Sequence, residues 1–268
     1  MLKNITLGQF IPGKTPIHLL DPRMKIILTT AYIAMIFCVG SPLWYIIPVC
    51  YVALTARMAG LSTRQLLQAV KPLRFLLILT FLLNLLFSGG STIWLEWGFL
   101  QITREGTLMA IHFSMRLISL VLGTCILTLT TSPVALSDGI EMLLKPLKVI
   151  RFPAHELAMM ITIALRFIPT LMEETDKIMK AQMARGADFE SGNLLRRAKS
   201  MIPLLVPLFI SAIRRAGDLA VAMEARCYHG GEGRTRLRVL CYTRHDLYAL
   251  FMTVATLLCT ILTRLLPL

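Results

Sequence analysis

Two short segments with nearly the same residues stand 41 positions apart in the second half of the chain: Ala184, Arg185 and Gly186, then Ala225, Arg226 and Cys227. An arginine side chain is a planar fork of N–H donors that can hold a carboxylate or a group of carbonyl oxygens. The alanine beside it is small, so another surface can approach closely. Each segment therefore predicts a helix tip that inserts into a groove on a partner, and two tips suit a dimeric partner. For a single tip, the preference of a cation for the carboxyl end of a helix would be explanation enough.

A third segment points to different chemistry. Residues 8–15 fit the G-x-x-x-x-G-K-[ST] pattern of phosphate-binding loops letter for letter, with Lys14 as the lysine. That pattern needs a buried parallel strand before it and a helix after it, within an α/β domain. Only seven residues precede Gly8, and Pro12 and Pro16 bracket the lysine. We therefore expect any ATP to be bound by partner proteins rather than by this chain.

The remaining reactive side chains are scattered. The chain has five histidines and six cysteines, with no CxxC or HExxH spacing. The long apolar blocks contain essentially no carboxylates, so an intramembrane enzyme would have no convergent acid or nucleophile. We expect no catalytic site, no metal and no cofactor.

Composition identifies the elements that must position the two tips. Of 268 residues, 56% are hydrophobic and 16% are charged, against about 25% charged in a typical soluble domain. The apolar residues gather in five blocks, at residues 26–40, 43–56, 73–89, 106–131 and 247–262. We therefore predict an all-α integral membrane protein with about five transmembrane helices. The first two blocks are short for the ~30 Å hydrocarbon core and form a hairpin around residues 40–42.

The basic residues predict an orientation. The formal net charge is +13, and 25 of the 28 Lys and Arg residues fall in the segments 3–25, 57–74 and 145–244. With the N-terminus inside, all three segments lie on the cytoplasmic side, as the positive-inside rule requires.

Three polar residues interrupt the apolar blocks. Asn84 lies in the third block, and His112 and Arg116 share one helical face of the fourth. A charge inside the bilayer needs a partner or water. We expect either a polar contact inside the helix bundle, which could belong to a conduction path, or a structural arginine bonded to main-chain groups or to Asn84.

Residues 132–233 form a long insert between the fourth and fifth spans. Proline and glycine positions predict three amphipathic helices at about 133–148, 153–185 and 192–228, with kinks expected at Pro203 and Pro207. Gly186 suits a left-handed C-terminal cap. The second and third helices each have an apolar first half and a charged second half, which would direct both C-terminal ends to the cytosol. The predicted domains are 1–131 with spans one to four, a domain of long amphipathic helices at 132–233, and a basic linker with the last span at 234–268.

These features resemble one known family. The paired tips, the hydropathy profile and the segments 7–9, 18–25, 186–189 and 231–236 are similar to the transmembrane coupling subunit (EcfT, in the CbiQ-like superfamily) of energy-coupling factor transporters. The family carries two Ala-Arg-Gly motifs at the ends of its coupling helices. The first motif matches completely, whereas Cys227 replaces the glycine of the second. A left-handed turn at position 227 therefore cannot be assumed, and Gly230 is the expected substitute.

The resemblance implies a division of labour. Two ATP-binding-cassette ATPase subunits would bind and hydrolyse ATP, with Arg185 docking in one and Arg226 in the other. A separate substrate-binding membrane subunit, the S-component, would capture a vitamin or related micronutrient. The chain itself would be a multi-pass protein of a prokaryotic cell membrane that hydrolyses nothing. The alternative is a self-contained permease, which would need polar residues on several facing helices.

Overall fold

The computed structural model describes residues 10–89, 92–97, 100–146, 153–187, 189, 199–230 and 240–265. The expectations for Gly8, for a helix start near residue 192 and for the segment 231–236 lie outside these residues. Two compact units are present, and we call them the bundle and the insert unit. The bundle comprises Gly8–Met142 with Val239–Leu268, and the insert unit contains Leu143–Arg238.

Eight α-helices are described in the bundle. They are α1 (Pro16–Leu19), α2 (Pro22–Cys38), α3 (Ile46–Met58), α4 (Thr63–Val70), α5 (Arg74–Phe87), α6 (Arg104–Thr130), α7 (Pro133–Leu144) and α10 (Arg244–Leu265). Short 3-10 turns at Pro42–Tyr45 and Lys71–Leu73 precede α3 and α5. The helix starts follow local rules: Asp21 caps α2, which opens on a proline, and Ser62 forms a capping box with Gln65 on α4.

The all-α prediction is confirmed, with one small β-hairpin between α5 and α6. Strand β1 (Ile93–Trp97) pairs antiparallel with β2 (Leu100–Thr103), and Trp97 faces Leu100 across the ladder.

Among the residues that the structure describes, four helices are long and apolar enough, by length and composition, to cross a membrane. They are Thr63–Phe87, Arg104–Thr130, Ala154–Ala184 and Arg244–Thr263. Three of them correspond to the third, fourth and fifth predicted spans. The first two predicted spans are shorter, as their blocks indicated: α2 has 17 residues, and Pro42–Met58 is also a shorter apolar helix. Ala154–Ala184 meets the same length and composition criterion, although we predicted it as a coupling helix.

Contacts along α2 and α6 set the register of the bundle. Lys25 Nζ donates to the carbonyl of Thr130 at 2.9 Å, and Tyr32 OH donates to the carbonyl of Ser119 at 3.1 Å. The two helices are therefore antiparallel. A side chain at Gly123 would place its Cβ 2.1 Å from the Tyr32 ring, so only glycine permits this close approach. The buried core continues through Met35, Ile36, Tyr45 and Val52.

The first predicted insert helix belongs with the bundle. Helix α7 ends at Leu144, and its Gly139 faces the start of α2, where an added Cβ would lie 3.1 Å from Pro22 Cβ. The compact insert unit contains Leu143–Arg238, and the predicted domain boundary at residue 132 stays a prediction. Its two described helices are α8 (Ala154–Ala184), close to the predicted 153–185, and α9 (Ile202–Glu224). Pro203 lies in the first turn of α9, whereas Pro207 lies inside the helix.

Candidate functional site

The first arginine tip ends α8 with a regular cap. Gly186 has φ +87°, in the left-handed region. Its N–H donates to the carbonyl of Met183 at 2.9 Å, and the N–H of Ala187 donates to the carbonyl of Gln182 at 3.0 Å. This pair of bonds defines a Schellman cap, with Arg185 as the last residue before the turn. The predicted cap at Gly186 is confirmed.

The second tip has the same cap. The N–H of Cys227 donates to the carbonyl of Glu224 at 2.9 Å, and the N–H of Tyr228 donates to the carbonyl of Met223 at 3.1 Å. Cys227 itself has φ +54°. The expectation that Gly230 would replace the turn is therefore wrong, although Gly230 also has a positive φ of +99°. A non-glycine residue in this conformation costs about 1–2 kcal/mol, which the two cap bonds offset.

Both tips are presented to the surroundings of the insert unit. Arg185 and Arg226 are exposed, as are Ala184 and Ala225. Within the part of the chain that the structure describes, neither guanidinium makes a hydrogen bond or an ion pair. Each tip therefore offers an uncommitted cation beside a small residue at the end of a capped helix.

The arrangement of α8 and α9 decides where the tips lie. Glu174 accepts from Ser211 Oγ and from Arg215 Nη2, the latter at 2.9 Å, while Gln182 Nε2 donates to the carbonyl of Pro203 at 3.5 Å. Because the later residue on α8 meets the earlier residue on α9, the two helices pack antiparallel.

The antiparallel packing separates the arginines. Arg185 lies just beyond the Gln182–Pro203 contact, whereas Arg226 lies 23 residues from Pro203 in the opposite direction. At 1.5 Å per residue, the two tips are about 35–40 Å apart along the pair. The two C-terminal ends therefore lie at opposite ends of the helix pair, and the prediction that both face the cytosol stays a prediction.

The polar residues of the apolar blocks do not all meet. Arg116 Nη2 contacts His112 Nε2 at 2.8 Å, and Arg116 Nε donates to Tyr45 OH at 3.3 Å. The guanidinium also lies 5.4 Å from the ring centroids of Phe37 and Phe113. Asn84 is not part of this cluster.

Instead, Asn84 Nδ2 donates to the carbonyl of Thr80, one turn earlier in α5, at 2.8 Å. The predicted pairing of His112 with Arg116 is confirmed. The proposed bond from Arg116 to Asn84 is wrong, because Tyr45 takes that place. No local pattern pointed to Tyr45, which lies 71 positions from Arg116.

A second polar network, which the sequence reading missed, joins the starts of α2 and α10. Asp246 is 2% exposed, and its carboxylate accepts from the N–H of Asp21 at 2.9 Å and from the N–H of Thr243 at 2.6 Å. Arg23 pairs with Asp21 at 2.8 Å and donates to the carbonyl of Leu240 at 3.0 Å. Burial alone would raise the pKa of Asp21, but the hydrogen bonds and charge of Arg23 lower it overall.

One signal in the sequence was available for this network. Thr243 and Asp246 stand in the T-x-x-D spacing that closes the first turn of a helix ahead of an apolar run. The contact between Asp246 and Asp21 spans 225 positions and had no such signal.

The phosphate-binding pattern around Lys14 and a metal site have little supporting geometry among the described residues. The helix directly after Lys14 is α1, which has only four residues. The hydroxyl of Thr15 bonds His18 Nδ1 at 2.7 Å. Among the residues that the structure describes, no three His, Cys, Asp or Glu side chains form a group that could hold a metal ion.

The chain is similar to known proteins over most of its length. The family model described as CbiQ, cobalt transport protein, matches residues 13–237. A protein of Thermosediminibacter oceani named energy-coupling factor transporter transmembrane protein EcfT is 55% identical over 252 residues, covering 94% of this chain and 95% of its own length. Proteins of the same name in Acidaminococcus fermentans and Bacillus subtilis are 52% and 45% identical, over 96% and 92% of this chain and 98% and 93% of their own lengths.

Proposed function

The chain belongs to the CbiQ family, and from that membership we propose that it is the transmembrane coupling subunit of an energy-coupling factor importer. It binds two cytoplasmic ATP-binding-cassette ATPase subunits and one substrate-binding membrane subunit. ATP is held and hydrolysed by the ATPases. This chain transmits their motion and catalyses no reaction itself.

The observation that carries the proposal is the pair of matching tips. Each tip presents an exposed arginine at a Schellman-capped helix end, beside an exposed alanine. Two nearly identical recognition elements on one chain suit two related partners better than one. A groove lined by carboxylates or carbonyl oxygens is the chemical complement of the guanidinium fork.

The spacing of the tips supports a dimeric partner. Sites about 35–40 Å apart fit one groove on each subunit of a dimer of domain-sized proteins. Because α8 and α9 are antiparallel, both tips can reach the same compartment only if the helix pair lies roughly along the membrane plane. In that orientation, closure of the ATPase dimer would move the two ends of the pair relative to each other.

The remaining surface of the pair suits a membrane partner. Large apolar side chains of α8 and α9 are exposed within the insert unit, among them Met160, Ile161, Leu205, Val206, Phe209 and Ile210. An exposed apolar surface of this kind marks a protein or lipid contact. We assign it to the substrate-binding subunit, and we propose vitamins or related micronutrients as the cargo. The basic segments favour a cytoplasmic location for the insert unit, and we propose that the membrane is a prokaryotic cell membrane.

The alternative of a self-contained permease has one feature in its favour. The bundle contains a cavity of about 370 Å³ between α2, α3, α6 and α10. Its lining is mostly apolar, and the ammonium of Lys25 at its wall is already bonded to the carbonyls of His18 and Thr130. A hydrophilic cargo would find few uncommitted polar groups there.

The proposal is tested by reversing the charge at each tip. We expect Arg185→Glu and Arg226→Glu each to weaken ATPase binding at least thirtyfold, the scale of losing a charged interface hot spot of about 2 kcal/mol. The double variant should lose binding and uptake together. Binding is measured by co-purification of the tagged chain with its ATPases, and uptake by accumulation of labelled vitamin in cells.

Matched controls lie on the same two helices. Lys180→Glu on α8 and Arg214→Glu on α9 reverse exposed charges away from the tips and should leave binding within threefold of the unchanged chain. Full uptake by the double tip variant would refute the docking role of the arginines. Equal loss of ATPase binding in the tip variants and the control variants would show that the effect comes from net charge alone.

A further inference from the structure

The cluster around Arg116 has more hydrogen-bond donors than the described residues provide acceptors for. Its guanidinium uses Nε toward Tyr45 and Nη2 toward His112, both neutral partners. No carboxylate among the described residues pairs with it. Arginine carries five N–H donors, so three have no acceptor in the described part of the chain. A cation in an apolar setting is stable only when an anion or water completes its shell.

Neighbouring residues hold the Arg116 side chain in an orientation that leaves donors available to such an anion. Phe37 and Phe113 lie on the guanidinium at 5.4 Å, and Tyr45, which is 2% exposed, fixes its Nε edge. His112 Nε2 accepts from Arg116, so the ring carries its proton on Nδ1 and adds another donor. Phe37 is 58% exposed and Phe113 42%, which puts the cluster on the lateral surface of the bundle.

The depth of the cluster identifies the anion. Lys25 marks one end of α6 by its bond to Thr130. The guanidinium reaches back toward the N-terminus of α6 to the level of His112, which is 18 residues or about 27 Å from Thr130. A hydrocarbon core about 30 Å thick that begins at the level of Thr130 would end near the level of His112, which would put the guanidinium close to the lipid phosphates rather than at the bilayer centre.

The α2–α3 hairpin ends at the same level. Phe37, in the last turn of α2, and Tyr45, at the end of the 3-10 turn before α3, both contact Arg116. Helix α6 continues for about a further 12 residues beyond Arg116, to Arg104. The hairpin turn and the outer part of α6 thus form a step at the height of the headgroups.

From this geometry we propose that Arg116, with His112 beside it and Tyr45 positioning its guanidinium, binds the phosphate of a phospholipid in the leaflet on the side of the α2–α3 turn. The unused N–H groups of the guanidinium donate to phosphate oxygens, and the two phenylalanine rings pack against the upper acyl chain. The site does not depend on the coupling role or on which leaflet is cytoplasmic.

Native mass spectrometry of the full-length chain in detergent tests the site. The two probes are dioleoyl phosphatidylglycerol and dioleoylglycerol, which share acyl chains and differ by the phosphate headgroup. We expect the first phosphatidylglycerol to bind at least tenfold more tightly than dioleoylglycerol. Arg116→Gln should reduce that preference to within threefold, and Tyr45→Phe should reduce it by a smaller factor.

Arg104→Gln is the matched control, because it removes an exposed cation from the same helix. It should keep the tenfold preference. Arg116→Lys keeps the charge without the guanidinium fork, so its lipid preference should lie between those of Arg104→Gln and Arg116→Gln. It also tests the site if Arg116→Gln fails to fold.

Three results overturn the proposal. The first is equal binding of both probes by the unchanged chain, a comparison that needs no variant. The second is an equal loss in the Arg104 and Arg116 variants, which would mean a diffuse charge effect. The third is unchanged lipid preference in Arg116→Gln together with loss of a membrane protein partner on co-purification, which would assign the arginine to a carboxylate of that partner.

Discussion

The buried carboxylate of Asp246 offers a quantitative test of how the bundle is closed. It joins the start of α10 to the start of α2 by accepting from Asp21 N–H, Thr243 N–H and Thr243 Oγ1, at 2.9, 2.6 and 2.8 Å. In Asp246→Ala the N–H of Asp21 loses its acceptor, which costs about 1–3 kcal/mol for a buried group. Loss of the capping bonds at Thr243 adds about 1 kcal/mol. We expect the bundle to lose about 3 kcal/mol in total.

The assay is equilibrium unfolding in mixed micelles, followed by tryptophan fluorescence. Asp246→Asn keeps one oxygen acceptor and should cost about half as much as Asp246→Ala. Asp218→Ala, an exposed aspartate on α9, is the control and should change the free energy of unfolding by less than about 0.5 kcal/mol. A value for Asp246→Ala within that same range would refute the reasoning, because a buried acceptor with three donors could not be removed so cheaply.

Two further predictions concern the arginine tips. Spin labels at Ala187 and Cys227, in a chain whose other five cysteines are replaced, should lie about 35–40 Å apart by pulsed electron resonance; a distance below about 20 Å would contradict the antiparallel pair. Gly186→Ala should destabilise its cap by about 1 kcal/mol and weaken ATPase co-purification, whereas Cys227→Gly should leave co-purification intact, because glycine adopts the left-handed turn without strain. Equal effects of these two substitutions would show that the left-handed turns do not matter for docking.

Local patterns in the sequence were enough for the membrane class and for most helix ends. Apolar blocks of helical length predict spans in any fold, since the bilayer imposes the same requirement on every chain. Proline at the start of α7, proline before α8 and glycine after α8 predicted these three helix boundaries to within about a residue. The two tips could also be predicted from the sequence, because each depends on residues within one helical turn. The resemblance that they carry then indicated the family.

Cys227 shows where a local rule failed. A glycine preference is statistical, and two main-chain bonds offset the cost of the left-handed conformation for a cysteine. The sequence contains the residue but not the bonds, which form only once the helix end is built.

Longer-range pairing was decided by the tertiary structure alone. Arg116 bonds Tyr45 rather than Asn84, and Asp246 bonds the main chain of Asp21. Helices α8 and α9 pack antiparallel, which separates the two arginines. Each of these outcomes depends on which helix faces are brought together by packing, and packing depends on the whole set of side chains rather than on spacing within one segment. The sequence by itself therefore determined the kinds of groups that could act, whereas their partners and their separation followed from the packed fold.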